Sequence, residues 1–146
     1  MQLSARLLAD SSMIAIDTNM VVRLITRDDD LQYHKAKVLL EEQEVLIVDT
    51  VVLESVWVLG YAYGYDRQRI FDALSCLFGL PNVHLFHPDA VADALSWYGQ
   101  GMDFADALHL SGCRSTRAFY TFDKKFIKKA KGLKLKPPVQ LPVKNS

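Results

Sequence analysis

The chain has 146 residues, half of them hydrophobic, and equal numbers of acidic and basic residues, so its formal net charge is zero. This length suits one domain with a real core, and the net charge alone indicates no nucleic-acid partner. Two cysteines, Cys76 and Cys113, exclude a disulfide framework and lack a metal-type spacing, so both are predicted to be buried thiols in a reducing compartment. No signal peptide and no bilayer-spanning segment is evident, so we expect a cytoplasmic protein.

Short apolar runs alternate with helical patterns along the chain, which predicts an α/β fold with a mostly parallel sheet. Residues 1–12 precede the first strand and are interpreted as an extension that need not belong to the native chain. Residues 13–146 are predicted to form a single domain, without internal repeats or linkers. The predicted strands span residues 13–16, 45–48, 83–86, 118–121 and, at an edge of the sheet, 139–143.

Helices are predicted from apolar periodicity and from cap residues. Pro88 begins one helix, a glycine-containing break at 99–101 follows it, and Gly132 is expected to stop the last, strongly basic helix. The third helix is entered through Asp49 or Thr50, and the acidic run at 28–30 is expected only to cap a helix. The predicted helices span residues 20–25, 31–43, 51–63, 66–78, 88–97, 104–114 and 123–131.

Four acidic residues stand at or near the boundaries of these elements. Asp17 follows the first strand and Asp123 follows the strand ending at Thr121, and open α/β sheets form their sites beyond the carboxyl ends of strands. Glu54 is the only charge in an apolar helix, and Asp106 lies in the first turn of another. Carboxylates that converge repel one another unless a cation offsets them. Mg²⁺ or Mn²⁺ prefers such oxygen ligands, and a site of this kind can cleave phosphodiesters.

Each acid also has an ordinary structural explanation. Asp17, Asp103 and Asp123 are all suited to cap helices, and Asp106 then follows Asp103 as a first-turn acid. Glu54 does not occupy a capping-box position, so its structural alternative is a buried partner such as arginine. Asp103 and Asp106 share one helix face, so both are also able to approach one metal ion. The four histidines are expected to lie on the surface or in the core.

Charge is unevenly distributed along the chain. From Cys113 to the C-terminus there are ten basic residues and one acid, a net charge of +9, which leaves −9 for the rest. A lysine-rich helix is usually a solvated face. The alternative is a basic face that lies beside an acidic one.

Four segments, residues 16–19, 52–59, 103–110 and 121–126, together resemble the PIN-domain ribonucleases, and within them the VapC-type toxins of bacterial toxin–antitoxin pairs. The likeness covers residues 13 to about 133. It implies a three-layer fold with a central, mostly parallel sheet of about five strands flanked by helices. It also implies that four acids bind Mg²⁺ or Mn²⁺ and that a fifth is accessory. In this chain the four are Asp17, Glu54, Asp106 and Asp123, the accessory acid is Asp103, and the matching polar positions beside them are Thr18, Asn19 and Thr121.

The resemblance implies a metal-dependent endoribonuclease that hydrolyses RNA phosphodiester bonds as the toxin of such a pair. With such a substrate, the basic residues expected to hold the RNA backbone are Arg114, Arg117, Lys124, Lys125 and Lys128. The resemblance also implies a homodimer and a cognate antitoxin that inserts near the acidic cleft, and a pairing surface near residues 33–40 and 56–63 is one possibility. Two alternatives remain open. One is a PIN fold that has lost catalysis and only binds a partner. The other is a receiver-type signalling domain, which fits poorly because Asp17 is followed by Thr18 and Asn19 rather than by another acid.

Overall fold

The computed structural model describes residues 12–143. The predicted N-terminal extension, residues 1–12, therefore lies outside the described residues except for Ser12. Internal contacts divide the chain between Asp89 and Ala90 into two compact units. The single domain of residues 13–146 stays a prediction. No helix in the described range is long and apolar enough to cross a membrane.

The first unit contains a three-stranded parallel sheet in the order β1-β2-β3. Val45 of the central strand is in register with Ile14 on one side and Val83 on the other. Parallel strands need long crossover connections, and helices supply them here. The elements of this unit are β1 (Ile14–Ala15), α1 (Thr18–Thr26), α2 (Asp30–Glu42), β2 (Val45–Ile47), α3 (Asp49–Tyr61), α4 (Arg67–Phe78) and β3 (Val83–Leu85).

The core of the first unit forms around the central strand. Val45 and Ile47 of β2 are fully buried, as expected for a strand that has neighbours on both edges and is covered by helices. Leu59 of α3 and Leu74 of α4 are fully buried as well. The acidic run before α2 has the structural role predicted for it, because the Asp29 side chain accepts a hydrogen bond from the Gln32 amide at 3.0 Å.

The second unit holds the remaining elements and a parallel pair of strands. Its core includes Ala107 and Leu110, both fully buried, and Phe126, whose ring lies 5.4 Å from that of Phe119. Phe119 is in register with Val139. The elements are α5 (Pro88–Gly99), which starts just before the boundary, α6 (Phe104–Gly112), β4 (Phe119–Tyr120), α7 (Lys124–Gly132) and β5 (Val139–Gln140).

The predicted α/β class with parallel strands is confirmed, and all five predicted strands are present. They hydrogen-bond as a sheet of three and a sheet of two. Helix α1 begins at Thr18, two residues before the predicted start, because Asp17 caps it. Helix α7 ends at Gly132, the residue predicted to stop it, and Leu133 is its C-cap. The left-handed residue that follows the helix is Lys134, at φ 58°.

The predicted burial of both cysteines is wrong. Cys76 is exposed and Cys113 is only partly buried, and both thiols are free. Cys76 lies on α4, where the buried stripe is formed by Ile70, Leu74 and Leu77. An apolar residue type does not by itself determine which face of a helix it occupies.

Candidate active site

The first unit places Asp17 directly beyond the carboxyl end of β1. Asp17 has extended backbone geometry and caps α1, because its Oδ1 accepts a hydrogen bond from the Met20 amide at 3.0 Å. Thr18, the first residue of that helix, donates its hydroxyl hydrogen bond to Glu54 Oε1 at 3.0 Å. The pair connects the start of α1 to the middle of α3. The predicted polar role of Thr18 beside an acid of the site is therefore matched by a direct contact.

Glu54 is exposed on α3, and its side chain accepts the hydrogen bond from the Thr18 hydroxyl. The ion pairs formed by residues 12–143 do not include Glu54, so the alternative of a buried arginine partner is wrong. Helix α3 begins at Asp49 after Val48, which has no side-chain cap, and Glu54 lies too far along the helix to cap it. Its position therefore has no helix-capping explanation. Asn19, the other predicted polar residue here, is exposed on α1.

In the second unit, Asp103 and Asp106 form the start of α6. Asp103 is the cap, and its Oδ2 accepts a hydrogen bond from the Asp106 amide at 3.0 Å. Asp106 is half-buried and its pKa is raised, first by desolvation and then by the negative charges of Asp103 and Asp123. His109, one turn further along the helix, lowers that pKa by a smaller amount. Asp103 and Asp123 are therefore each near enough to repel the Asp106 carboxylate.

Asp123 caps α7 in the same way. Its Oδ1 accepts hydrogen bonds from the amides of Lys125 and Phe126, at 2.9 and 3.1 Å. The amide of Asp123 itself donates to the Thr121 hydroxyl oxygen at 3.0 Å. Thr121 thus helps to orient the acid, as expected for one of the predicted polar positions. Because this contact uses the hydroxyl as an acceptor, its own proton is left for another partner.

Capping is thus the structural role of three of the five acids, as the ordinary explanation predicted. In the contacts above, capping uses one oxygen of each carboxylate, so the second oxygen of each is not used by the cap. Within each unit the structure brings predicted residues together: Thr18 with Glu54 in the first, and Asp103, Asp106 and Asp123 in the second. The convergence of all four principal acids on one cation stays a prediction. No group of three or more His, Cys, Asp or Glu side chains within residues 12–143 is arranged to hold a metal ion.

The chemistry of the second unit's acids nevertheless fits a hard divalent cation. All of its candidate ligands are carboxylate oxygens, which Mg²⁺ and Mn²⁺ prefer. Asp103 and Asp123 repel the Asp106 carboxylate, and a bound cation would relieve that repulsion. Asp103 and Asp123 are exposed, so their side chains have room to turn towards an ion.

Of the basic residues assigned to RNA, Arg114 has an internal partner. Its guanidinium forms an ion pair with Asp93 of α5 and also donates to the Ser111 carbonyl at 3.2 Å. Arg117 is exposed at the surface. The three lysines of the prediction, Lys124, Lys125 and Lys128, are exposed along α7. The structure therefore leaves the lysines better placed than Arg114 to meet an external anion.

Sequence reasoning missed one pair at the edge of the first sheet. His87 Nδ1 lies 2.6 Å from Asp49 Oδ2, and Asp49 Oδ1 is buried without a hydrogen-bond partner in the described structure. The sequence did hold a signal for this pair. Asp49 comes two residues after the end of β2, and His87 comes two residues after the end of its parallel neighbour β3. Residues just beyond the carboxyl ends of parallel strands lie at the same edge of the sheet.

The fold and these side chains define a class: an α/β protein with acids placed beyond its parallel strands and at the starts of its helices. The family model of the PIN domain matches residues 14–132, so the chain belongs to the PIN-domain family. Among solved structures, the chain is similar to Mycobacterium tuberculosis VapC20, described as a sarcin-ricin loop cleaving toxin. That similarity has 22% sequence identity and a TM-score of 0.41, and it covers 79% of this chain and 92% of the other. No match was found among curated proteins.

The raised pKa of Asp106 predicts a pH-dependent change in stability. A carboxyl whose pKa is higher in the folded state lowers stability once it ionises. This loss is absent below the unfolded pKa, about 3.9 for Asp, and complete above the folded pKa. In a chelating buffer, Asp106→Asn is therefore expected to melt at a higher temperature than the wild type at neutral pH. Thermal melts from acid to neutral pH measure the difference, which should disappear at the acid end.

The control for this prediction is Asp72→Asn on α4. Asp72 is exposed and accepts a hydrogen bond from Gln68 at 2.9 Å, which asparagine can also accept through its carbonyl oxygen. Its melting temperature should follow that of the wild type at every pH. A lower melting temperature for Asp106→Asn at neutral pH would contradict the expected repulsion.

Proposed function

We propose that this PIN-domain protein is an endoribonuclease that hydrolyses RNA phosphodiester bonds with Mg²⁺ or Mn²⁺, and that it acts as the toxin of a toxin–antitoxin pair. The observation that carries the proposal is the placement of Asp103, Asp106 and Asp123 at the starts of two helices in the second unit, where burial and then the charges of Asp103 and Asp123 raise the pKa of Asp106. Family membership supports it, since all four motifs that carry the likeness lie within the matched residues.

In this proposal, Asp17, Asp106 and Asp123 hold the cation, with Asp103 as an accessory acid. Glu54 either joins them as a ligand or takes the proton from the attacking water, and the Thr18 hydroxyl orients it. Thr121 orients Asp123 through the backbone amide, and Asn19 is the remaining polar residue assigned here. A bound divalent ion would lower the pKa of its water and stabilise charge on the phosphoryl oxygens.

The remaining residues of the proposal bind rather than react. The exposed Lys124, Lys125 and Lys128 hold the substrate backbone, with Arg117 and, once released from Asp93, Arg114. The expected products carry a 5′-phosphate and a 3′-hydroxyl. The chain is proposed to act in the cytoplasm.

A homodimer and a cognate antitoxin are also part of the proposal. A pairing surface near residues 56–63 is supported by two solvent-exposed aromatic rings that stack on each other on helix α3. Trp57 is 62% exposed and Tyr61 is 79% exposed, with ring centroids 4.9 Å apart and planes 7° apart. Large exposed aromatic surfaces are common at protein interfaces. Sedimentation of the purified chain, alone and with the product of a small neighbouring gene, tests both partners.

The proposed activity is tested by incubating the purified protein with RNA in the presence of Mg²⁺ or Mn²⁺, or of a chelator. We expect cleavage with either ion and none with the chelator. End-labelling of the products should give 5′-phosphate and 3′-hydroxyl termini. Intact RNA in all conditions would favour the catalytically silent binding module, and equal cleavage in the chelator would reject the metal-dependent mechanism.

A further inference from the structure

A groove in the second unit begins next to Asp123 and runs beside α7 towards β5. It encloses about 980 Å³ and is lined from Lys124 to Val143, all within one stretch of chain. Five of its lining residues are lysines, all exposed, and none is acidic. The five are Lys124, Lys128, Lys131, Lys134 and Lys136. We call this the lysine groove.

The helix and the turn after it bring these lysines together. Lys124, Lys128 and Lys131 are spaced by four and three residues, so they lie on one face of α7. The face that carries Phe126 and Ala130 is buried. After the helix, Lys134 takes the left-handed conformation while its amide donates to the Lys131 carbonyl at 3.0 Å. This turn keeps Lys134 and Lys136 beside the helix.

The floor of the lysine groove is apolar. Side chains from α7, from the turn and from the last strand line it between the lysines. Lysine stems pack along such surfaces and place their ammonium groups at the rim. The apolar lining residues include Ile127, Leu135, Val139 and Leu141. A ligand seated here would meet apolar surface below and positive charge on either side.

Among residues 12–143, no acidic side chain pairs with a lysine of the groove. The contacts between basic and acidic side chains in that range use Arg23, His84, His87 and Arg114. Asp123, the one acid after Cys113, points its Oδ1 at the backbone amides of α7. Like charges spaced by three or four residues on one helix destabilise that helix. An external polyanion would remove this repulsion.

We propose that the lysine groove binds the phosphodiester backbone of a single RNA strand that extends from the bond cleaved at the carboxylates. The inference rests on the proposed function and adds a substrate-binding site to it. Phosphates would contact the lysines, while riboses and bases would lie on the apolar floor, as in other single-strand grooves. Because Lys124 directly follows Asp123, a strand in the groove is continuous with the proposed reaction site.

The dimensions agree with a short stretch of RNA. Helix α7 has nine residues, which corresponds to about 13 Å at the rise of an α-helix. Stacked nucleotides advance by about 3.4 Å along one strand, so about four fit beside the helix. An acidic peptide would match the charge as well, but the neighbouring acids proposed to act on phosphodiesters favour RNA.

The test compares two variants with the same change in net charge. Lys131→Gln with Lys134→Gln removes two charges from the lysine groove. Lys35→Gln with Lys37→Gln removes two exposed charges from α2, in the other unit. Binding of a short fluorescein-labelled oligouridylate is measured by anisotropy over a range of salt concentrations, in a chelating buffer so that no cleavage occurs.

The groove variant should bind the oligouridylate about 10-fold more weakly than the wild type at about 0.1 M salt. The slope of log Kobs against log salt should fall by about 1.4, since each phosphate contact to a single strand contributes about 0.7. The control variant should keep the wild-type affinity and slope. Circular dichroism melts of both variants check that they remain folded.

Equal affinity and slope in the groove variant and the wild type would overturn the proposal. Tighter binding of poly-glutamate than of an oligouridylate with the same number of charges would also overturn it, because it would assign the groove to an acidic protein. The two proposals fail separately. If the groove variant binds RNA more weakly than the wild type, but the wild type does not cleave RNA with Mg²⁺ or Mn²⁺, the groove is supported and the nuclease is rejected. If the wild type cleaves RNA but the groove variant binds RNA as tightly as the wild type, the nuclease is supported and the groove is rejected.

Discussion

Asp123→Asn is expected to abolish RNA cleavage without lowering the free energy of unfolding in a chelating buffer, because it keeps the helix cap and relieves the repulsion of Asp106. Asparagine caps a helix about as well as aspartate, because its side-chain oxygen accepts the same backbone hydrogen bonds. It can therefore keep the contacts that Asp123 makes to the amides of Lys125 and Phe126. What it loses is the negative charge that would hold a cation. We expect cleavage to fall by at least about 100-fold, the scale seen when one preorganised electrostatic group is removed from an active site.

Asp123→Ala separates the two roles of the residue. Alanine removes both the cap and the charge, so it should abolish cleavage and also lower the free energy of unfolding by about 0.5–2 kcal/mol. Denaturant titrations and single-turnover cleavage assays on the two variants measure these effects. If Asp123 were only a cap, the alanine variant would lose stability and the asparagine variant would remain fully active.

The same comparison applies in the first unit. Asp17→Asn keeps the hydrogen bond from the Met20 amide and removes the charge. Glu54→Gln keeps an oxygen that can accept from the Thr18 hydroxyl. Full activity in both of these amide variants would reject the assignment of the site.

Divalent cations are expected to stabilise the folded protein against heat and denaturant. A ligand that binds only the folded state adds about 2.7 kcal/mol when its concentration is 100 times its Kd. The physical reason is local, because Asp106 bears the repulsion of Asp103 and Asp123 in the second unit. Denaturant unfolding with increasing Mg²⁺ or Mn²⁺ measures the effect without any RNA or catalysis.

Matched ionic strength and a carboxylate variant provide the controls for that experiment. KCl at equal ionic strength should give little of the stabilisation, since it screens charge without occupying a site. Asp106→Asn should lose most of the cation-dependent part. Equal stabilisation of the wild type and of Asp106→Asn would place the ion elsewhere, and no stabilisation of the wild type would contradict a resident cation.

The site couples helix initiation to the proposed chemistry. Asp17, Asp103 and Asp123 are all N-caps, so each lies at the positive end of a helix dipole. The cap uses one oxygen of each carboxylate, which leaves the other able to meet a cation. One residue can therefore order the backbone of the site and keep the charge that the site needs. This explains why the ordinary explanation of these acids and the functional one are compatible.

Much of the local structure was predictable because it depends on neighbours in sequence. Caps act over two or three residues, so the starts of α6 and α7 followed from Asp103 and Asp123. The strands were placed correctly from short apolar runs, although β1 and β4 are only two residues long in the structure. Contacts between distant segments were not predictable. Neither the Thr18–Glu54 hydrogen bond nor the Arg114–Asp93 ion pair has a signal in the local pattern.

By itself, the sequence determined the α/β class, the order of the elements, the helix caps and the identity of the candidate acids. These properties follow from periodicity and from hydrogen bonds that close within a few residues. Only the tertiary structure decided which charges have partners. It gave Arg114 a carboxylate, left the groove lysines without one among residues 12–143, and buried Asp106 near the charges of Asp103 and Asp123, which together raise its pKa. Charge interactions depend on distance and burial, and both are set by how separated segments pack.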